Sequence, residues 1–349
     1  MRKAGFRSLV AATGILLSSL SGAAPAKAME KLNVATASNA VIYGPFWVAL
    51  ADKLFEKHGV DVNVVSTSAL STGSAMLVSG HADLVVTTAF LALRIATEGK
   101  PLKFIVNLNN MGIRVNAVIA RPDIKSLEEL AAKGADCKVI MTPVGSASWA
   151  NYQGLAARYN LKCAVSTAAT SPLVLAGATS GQFDAAMVNP QEAYAVRDAG
   201  KANVILDPLT VGDELAGQLY QYRHPLSTVC GMGPNLESKR EAVSRFVAAL
   251  REATAKISDT APDQLGTIAS RLPDVFGTTP ASALALQWKI QQSLFPRGPD
   301  AGFIGEAEWK NLTAAAPAVW GFANLKPDEP TLRYQAVVDM SYFNAAAKL

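Results

Sequence analysis

The sequence predicts an α/β protein with two lobes, each built on a sheet dominated by parallel strands. The chain has 349 residues, which is more than one hydrophobic core usually serves. Apolar strands alternate with amphipathic helices, and a strand–helix–strand order implies parallel strands joined by a right-handed crossover. A pattern of helix, glycine, aspartate and strand also occurs twice, about 100 residues apart, which is beyond the period of a stacked repeat.

The first strand–helix–strand unit begins at Lys31. The segment KLNVATA alternates as a half-buried strand does. In the helix that follows, Pro45 suits the first turn, apolar residues recur at helical spacing from Phe46 to Phe55, and Gly59 suits the end. The segment VDVNVV then predicts the second strand.

The repeated pattern places one helix and one strand in each predicted lobe. A hydroxyl residue begins the helix, a glycine ends it, and an aspartate three positions later begins the strand. The residues are Ser71, Gly80 and Asp83 in the first copy and Ser171, Gly181 and Asp184 in the second. Two further helices begin with the Ser-x-x-Glu pattern of a capping box, at Ser126–Glu129 and Ser238–Glu241.

Two of the three cysteines begin consecutive predicted strands, CKVIMT from Cys137 and CAVSTA from Cys163. We expect these strands to be parallel neighbours. The pattern leaves two arrangements open, a disulfide between the two residues or two small buried thiols. Cys230 is predicted to be a buried strand residue, and none of the cysteine spacings matches a zinc site.

The first 28 residues have the pattern of an export signal. Arg2, Lys3 and Arg7 precede the apolar run LVAATGILLSSL, which is too short to span a bilayer, and AKA ends the segment. We expect cleavage after Ala28 and a periplasmic protein; an uncleaved membrane anchor is the alternative.

The charge of the remaining chain argues against a nucleic-acid partner. The signal segment holds four of the 32 basic residues and none of the 28 acidic residues, so its removal leaves equal numbers of both. The sequence pI of about 8.9 therefore comes largely from that segment. No long basic block or later membrane-length apolar run follows.

The sequence offers little for catalysis. The segment VGSAS at 144–148 differs from the G-x-S-x-G nucleophile elbow, and the three histidines, His58, His81 and His224, are scattered. No glycine-rich nucleotide fingerprint and no metal-ligand spacing occurs. We expect no catalytic residue, no metal and no cofactor.

Small polar residues instead follow several predicted strands, where helices begin. Ligands of open α/β sheets lie at the carboxyl ends of strands, and helix N-termini offer free N–H groups. The loops concerned are 38–44, 71–73, 87–90 and 143–149, with Ser171 and Asn189. Each serine alone can be an ordinary N-cap; together the loops predict a ligand-binding cleft between the lobes.

Four segments resemble a known family, the solute-binding proteins of the nitrate/sulfonate/taurine class of ABC importers, which includes proteins for thiamine-pyrimidine precursors. They are YGPFWVALADKLFEKHGVDVNVV, STGSAMLVSGHADLVVTTAFLALRIATEGKPLKFI, RPDIKSLEELAAKGADCKVIMTPVGSASWANYQGLAARYNL and GQFDAAMVNPQEAYAV. The resemblance covers most of residues 31–260, and the order of the segments is more specific than any one of them.

The resemblance implies a type II periplasmic-binding-protein fold of the Venus-flytrap kind, with a two-segment hinge. The first lobe would comprise 29–116 and 226–349, and the second 117–225. It also implies a monomer that captures a small solute and delivers it to an ABC permease and its ATPase. A periplasmic sensory protein, or an enzyme acting in the same cleft, is the alternative.

The resemblance also implies the ligand-binding positions. In the first lobe they are Asn39, Tyr43, Ser71, Thr72, Thr87 and Thr88, and in the second Ser146, Ser148, Trp149 and Asn189. Helix starts at Ser71 and Ser146 would donate N–H groups, and Phe90 would join Tyr43 and Trp149 as an apolar wall. Arg114 is either a counter-ion for the ligand or a hinge residue.

Two positions depart from the family pattern. Asn189 occupies a position where many relatives have an acidic or aromatic residue. Trp149 lies close in sequence to the position where sulfonate-type relatives often have a histidine. The tryptophan offers a flat apolar face, so an aromatic or pyrimidine-like ligand is an alternative to a sulfonate-like anion. The cysteine-rich motif of the enzymes that share this fold is absent, which argues against catalysis.

Overall fold

Ten strands form two five-stranded sheets in the structure, a computed structural model that describes residues 29–36, 39–66, 70–212, 215, 224–277, 279–319, 326 and 329–349. The predicted signal segment 1–28 lies outside these residues. The strands are β1 (Glu30–Thr36), β2 (Val60–Ser66), β3 (Leu84–Thr88), β4 (Leu102–Asn110), β5 (Ala117–Ala120), β6 (Lys138–Met141), β7 (Ala164–Thr167), β8 (Ala185–Val188), β9 (Asn203–Leu206) and β10 (Pro225–Met232).

The two sheets have the same topology. The first has the order β2-β1-β3-β10-β4 and the second β7-β6-β8-β5-β9. In each sheet the fourth strand runs antiparallel to both neighbours, and the other strands are parallel to one another. The predicted class, α/β with two sheets dominated by parallel strands, is confirmed.

The described residues include sixteen α-helices, which surround the sheets and fill the C-terminal part of the chain. They are α1 (Gly44–Ala51), α2 (Leu54–Lys57), α3 (Leu70–Val78), α4 (Ala89–Thr97), α5 (Leu127–Ala132), α6 (Ala147–Tyr159), α7 (Ser171–Thr179), α8 (Pro190–Asp198), α9 (Gly233–Ser238), α10 (Arg240–Asp259), α11 (Pro262–Ala269), α12 (Pro273–Phe276), α13 (Ala281–Gln291), α14 (Glu306–Val319), α15 (Tyr334–Val337) and α16 (Ser341–Ala346). None of the described helices is both long enough and apolar enough to cross a membrane.

The apolar cores follow the sheets. One cluster joins the first sheet to α1, α4, α10 and the C-terminal helices, and two smaller clusters pack on the second sheet. Strands of the first sheet come from 30–110 and 225–232, and strands of the second from 117–206. The predicted limits of the lobes are consistent with this division but stay a prediction.

The repeated aspartates occupy equivalent places in the two sheets. Asp83 Oδ2 accepts a hydrogen bond from Asn33 N in β1, and Asp184 Oδ2 accepts one from Lys138 N in β6, both at 2.8 Å. Each carboxylate thereby ties the turn before one strand to the neighbouring parallel strand of its sheet. The repetition predicted from the sequence therefore has a shared structural cause.

Of the helix caps predicted at Ser126, Ser171 and Ser238, the first is confirmed and the other two are wrong. Ser126 Oγ accepts a hydrogen bond from Glu129 N at 3.2 Å. The N-cap of α7 is Thr170, and Ser171 is the first residue of the helix, where its Oγ donates to the carboxylate of Glu192 at 2.6 Å. Ser238 ends α9, and α10 begins after Lys239 without a side-chain cap, so the predicted capping box at Ser238 does not form.

A disulfide joins Cys137 and Cys163, whose Cα atoms are 4.3 Å apart. It spans the beginnings of β6 and β7, which are parallel neighbours with Lys138 opposite Ala164. Of the two arrangements left open by the sequence, the structure has the bonded one. Cys230 is buried in β10 as a free thiol, and burial raises the pKa of that thiol.

Candidate ligand-binding cleft

Two chain crossings connect the sheets, one between β4 and β5 and one between β9 and β10. Hydrogen bonds hold these crossings together: Met111 N donates to His224 O at 3.0 Å, and Arg114 Nη2 donates to Val211 O at 3.1 Å. Arg114 therefore makes a contact between the crossings, as the hinge alternative expects. The counter-ion alternative is not tested by this bond.

The loop before α6 lies against the end of β3. Thr88 Oγ1 donates a hydrogen bond to the carbonyl of Gly145 at 3.2 Å, and Thr88 is 2% exposed. Gly145 has φ +91°, and a Cβ atom on it would lie 3.4 Å from Leu91 Cδ2 in α4. The end of β3 in the first sheet thus meets the loop that follows β6 of the second sheet.

The hydroxyl groups at the start of α6 bond to one another. Ser146 Oγ accepts from Trp149 N at 3.2 Å, donates to Thr142 O at 3.2 Å and lies 3.1 Å from Ser148 Oγ. Ser148 Oγ also bonds to Thr142 Oγ1. Within the described residues, neither serine is hydrogen-bonded to a histidine or a carboxylate, and Ser146 caps the helix.

The three predicted aromatic walls have different surroundings. Tyr43 and Phe90 are fully buried in the core of the first sheet, where the Phe90 ring stands edge-on to His224 at a centroid distance of 5.7 Å. Trp149 is half-buried and packs against a core cluster of the second sheet. Its indole Nε1 is buried and has no hydrogen-bond partner among the described residues.

Asn189 belongs to a polar group at the starts of α7 and α8. Asn189 Nδ2 donates to Ser171 Oγ at 3.1 Å, and Asn189 N donates to Glu192 Oε2 at 3.0 Å. Burial raises the pKa of Glu192, an effect that the hydrogen bonds from Ser171 and Asn189 reduce but do not cancel. The predicted site residue Asn189 is therefore held by local bonds at a strand end.

The remaining predicted positions lie farther out or are only partly described. Asn39 is exposed, and its Nδ2 donates a hydrogen bond at 2.8 Å to the carbonyl oxygen of Val275, which lies within α12. Thr72 is exposed in the first turn of α3. Ser71 lies in the same turn, but its side chain is outside the described part. Thr87 is fully buried beside Thr88.

A polar row that the sequence analysis missed crosses three strands of the first sheet. Ser227 in β10 is paired with Thr88 in β3 on one side and with Asn109 in β4 on the other. Ser227 and Asn109 are 0% exposed. Neither Ser227 Oγ nor either polar atom of the Asn109 side chain has a hydrogen-bond partner among the described residues. The available signal was the polar run at the end of the otherwise apolar segment LKFIVNLNN.

His224 is the buried histidine nearest this row in sequence. Its Nδ1–H donates to Pro225 O at 3.1 Å, and burial lowers the pKa of the imidazole against the opposing effect of that bond. Among the described residues there is no group of three or more histidine, cysteine, aspartate or glutamate side chains that could hold a metal ion.

Comparison with known proteins identifies both the family pattern and the fold. The family model described as NMT1/THI5 like matches residues 42–263. No curated protein sequence matches the chain.

Solved structures from several bacteria are similar over most of their length. A protein from Bordetella bronchiseptica RB50 has a TM-score of 0.69 at 17% identity, covering 91% of this chain and 97% of that one. The alkanesulfonate-binding protein SsuA from Xanthomonas axonopodis pv. citri, bound to MOPS, has a TM-score of 0.66 at 16% identity, covering 88% and 98%.

The periplasmic nitrate-binding protein NrtA from Synechocystis PCC 6803 has a TM-score of 0.65 at 14% identity, covering 92% of this chain and 89% of that one. At such identities the similarity establishes the fold alone. The predicted periplasmic-binding-protein fold is confirmed.

Proposed function

Because the chain belongs to the NMT1/THI5 like family, we propose that it is the periplasmic solute-binding component of an ABC importer. It captures a small polar or anionic organic solute between two lobes that close around it. The related folds of an alkanesulfonate-binding and a nitrate-binding protein support this role. A binding protein, rather than an enzyme, also suits a cleft whose hydroxyl groups bond to one another.

The observation that carries the proposal is the direct contact between the end of β3 and the loop that follows β6. The Thr88 side chain reaches the Gly145 carbonyl at 3.2 Å, which supports a cleft bordered by polar groups of both sheets. Ligands of open α/β sheets lie outside the carboxyl ends of the strands, and enclosure between lobes removes such a ligand from water. Ser146, Ser148 and Asn189 would contact the solute from the second lobe.

The remaining parts of the proposal concern lobes, partners and location. The lobes comprise 29–116 with 226–349 and 117–225, and the crossings held by the Met111–His224 and Arg114–Val211 bonds act as the hinge. The signal segment exports the chain to the periplasm, where the closed protein delivers its solute to a permease that works with an ATPase.

Isothermal titration of solute-free protein tests the capture role. We expect at least one compound in a panel of sulfonates, carboxylates and pyrimidines to bind with a Kd below about 100 μM. Binding should appear with a stoichiometry of one and without turnover of the compound. Failure of every class at that concentration, or conversion of the bound compound to a product, contradicts the proposal.

A further inference from the structure

The polar row of Thr88, Ser227 and Asn109 runs across three neighbouring strands of the first sheet. Thr88 and Ser227 are direct partners on antiparallel strands, and such partners place their side chains on the same face, with Cβ atoms about 5 Å apart. Thr88 shows which way this face points, because its hydroxyl reaches Gly145 in the loop before α6. Asn109 is the partner of Ser227 in β4, where the register shifts on both sides of the pair, so this irregular part of the strand places Asn109 beside Ser227.

These two side chains are buried without partners. Each is 0% exposed, and none of their side-chain polar atoms has a hydrogen-bond partner among the described residues, an arrangement that destabilises a fold unless a ligand completes it. Among the neighbouring polar residues, Thr228 Oγ1 donates to Val106 O at 2.9 Å and Asn107 Nδ2 donates to Asn110 Oδ1 at 2.9 Å, whereas the buried Thr87 Oγ1 is also unpaired. Because Thr87 adjoins Thr88 in β3, its side chain lies on the opposite face of the sheet from Thr88 and Ser227.

The chemistry of the pair defines what it would bind. Asn109 offers one donor group, Nδ2, beside one acceptor, Oδ1, and Ser227 offers a hydroxyl that can do either. An anion would use only the donors and leave Oδ1 unpaired. In the described part of the chain, no hydrogen bond or ion pair from lysine or arginine reaches the row, and a buried anion needs such compensation.

We propose that Asn109 and Ser227 form a subsite that selects an uncharged, amide-like group of the solute, with a donor beside an acceptor. The subsite rests on the proposed function, because it needs a solute enclosed between the lobes. The subsite makes that function more specific: the part of the solute that contacts the first sheet would be a neutral polar group rather than a sulfonate-like anion.

Three ring-matched probes test the subsite: benzamide, benzoate and benzenesulfonate, which share a phenyl ring and differ in the polar group. Protein freed of solute by unfolding and refolding is titrated with each probe while its melting temperature is followed. We expect benzamide to stabilise the wild-type protein with an apparent affinity about tenfold or more above that of either anion.

The variants Asn109→Leu and Ser227→Ala remove the subsite in two ways, and Ser244→Ala is the matched control. Ser244 is a buried serine of α10 whose hydroxyl donates to Arg240 O at 2.8 Å. We expect Asn109→Leu to abolish the benzamide response, Ser227→Ala to weaken it about threefold to tenfold, and Ser244→Ala to retain it. If Asn109→Leu fails to fold, Ser227→Ala decides the question.

Two results would overturn the subsite. One is stabilisation of the wild-type protein by benzoate or benzenesulfonate at least as strong as by benzamide, which would leave the capture role intact. The other is an unchanged benzamide response in both subsite variants. Absence of binding by all three probes, together with a silent titration panel, would remove the capture role and the subsite with it.

Discussion

Thr88 Oγ1 and the carbonyl of Gly145 form a hydrogen bond of 3.2 Å that joins the end of β3 to the loop before α6. Thr88 ends a strand of the first sheet, and Gly145 precedes the first helical turn after a strand of the second sheet. Because the bond connects the two halves of the cleft, it reports directly on whether the halves are together.

Replacing Thr88 with valine should weaken the joined arrangement. The variant keeps the shape of the side chain and removes the donor, so the Gly145 carbonyl loses a bond worth about 1 kcal/mol. We expect the radius of gyration in small-angle scattering to rise and solute affinity to fall about fivefold. Thr97→Val, at the far end of α4, removes a hydroxyl bond to Arg94 O and should change neither quantity.

Asp83 should make the protein sensitive to acid. Burial raises the pKa of this carboxyl, but hydrogen bonds from Asn235 and Asn33 N and the pairing with Lys239 outweigh burial, so the pKa is lowered below its ordinary value. A lowered pKa means that the carboxylate stabilises the folded state above the unfolded-state pKa. That stabilisation is lost as the pH falls through the lower, folded-state value.

Urea unfolding of Asp83→Asn from pH 7 to pH 3 measures this effect. We expect the variant to lose about 1–2 kcal/mol at pH 7, because the charged hydrogen bonds disappear, and to differ less from the wild type at pH 3. Asp61→Asn, in an exposed position of β2, is the control. A difference between Asp83→Asn and wild type that stays constant across this range would contradict the assignment.

The disulfide between Cys137 and Cys163 should stabilise the second sheet. The two cysteines are 26 residues apart. A cross-link that closes a loop of that size reduces the entropy of the unfolded chain and raises its free energy by about 3 kcal/mol. Replacing both cysteines with alanine should lower the free energy of unfolding by about 3 kcal/mol. Cys230→Ala removes no cross-link and is the control. Recovery of both peptides with free thiols from unreduced protein would show that the bond does not form.

Gly266 should be intolerant of a side chain because α11 and α13 touch there. A Cβ atom would lie 2.7 Å from Ala285 N and 2.9 Å from Ala285 Cα, and would also collide with Ala281 O. These are backbone atoms, so the two helices must separate in the variant Gly266→Ala. We expect this variant to lower the free energy of unfolding by about 1–3 kcal/mol. Gly305→Ala, where a Cβ atom would have nothing within 4 Å, is the control; equal melting temperatures for the two variants would refute the close approach.

Features with local signals were predictable from the sequence. The glycine–aspartate repetition indicated two similar sheets because a turn, a strand start and a carboxylate bond all depend on residues a few positions apart. The start of α6 at Ser146 was also visible, since the helix cap and its hydroxyl lie within one turn. Cys137 and Cys163 could be placed on neighbouring strands, although the sequence could not choose between a bond and two thiols.

Features that depend on long-range register were not predictable. Ser227 meets Thr88 and Asn109 only because β10 inserts antiparallel between β3 and β4, and no local pattern specifies that pairing. Ser171 gives a second case. Its hydroxyl donates to the Glu192 carboxylate, and that carboxylate belongs to the next strand–helix unit, so no local pattern around Ser171 specifies the bond.

Native mass spectrometry of the protein, purified without added ligand and kept below unfolding conditions, tests the capture of a small solute most directly. We expect a fraction of the protein to carry one small organic molecule, which is released by unfolding and binds again when it is added back. A protein that shows only the mass of the chain, and that gains no mass when a small-molecule extract of its own cells is added, would contradict the capture role.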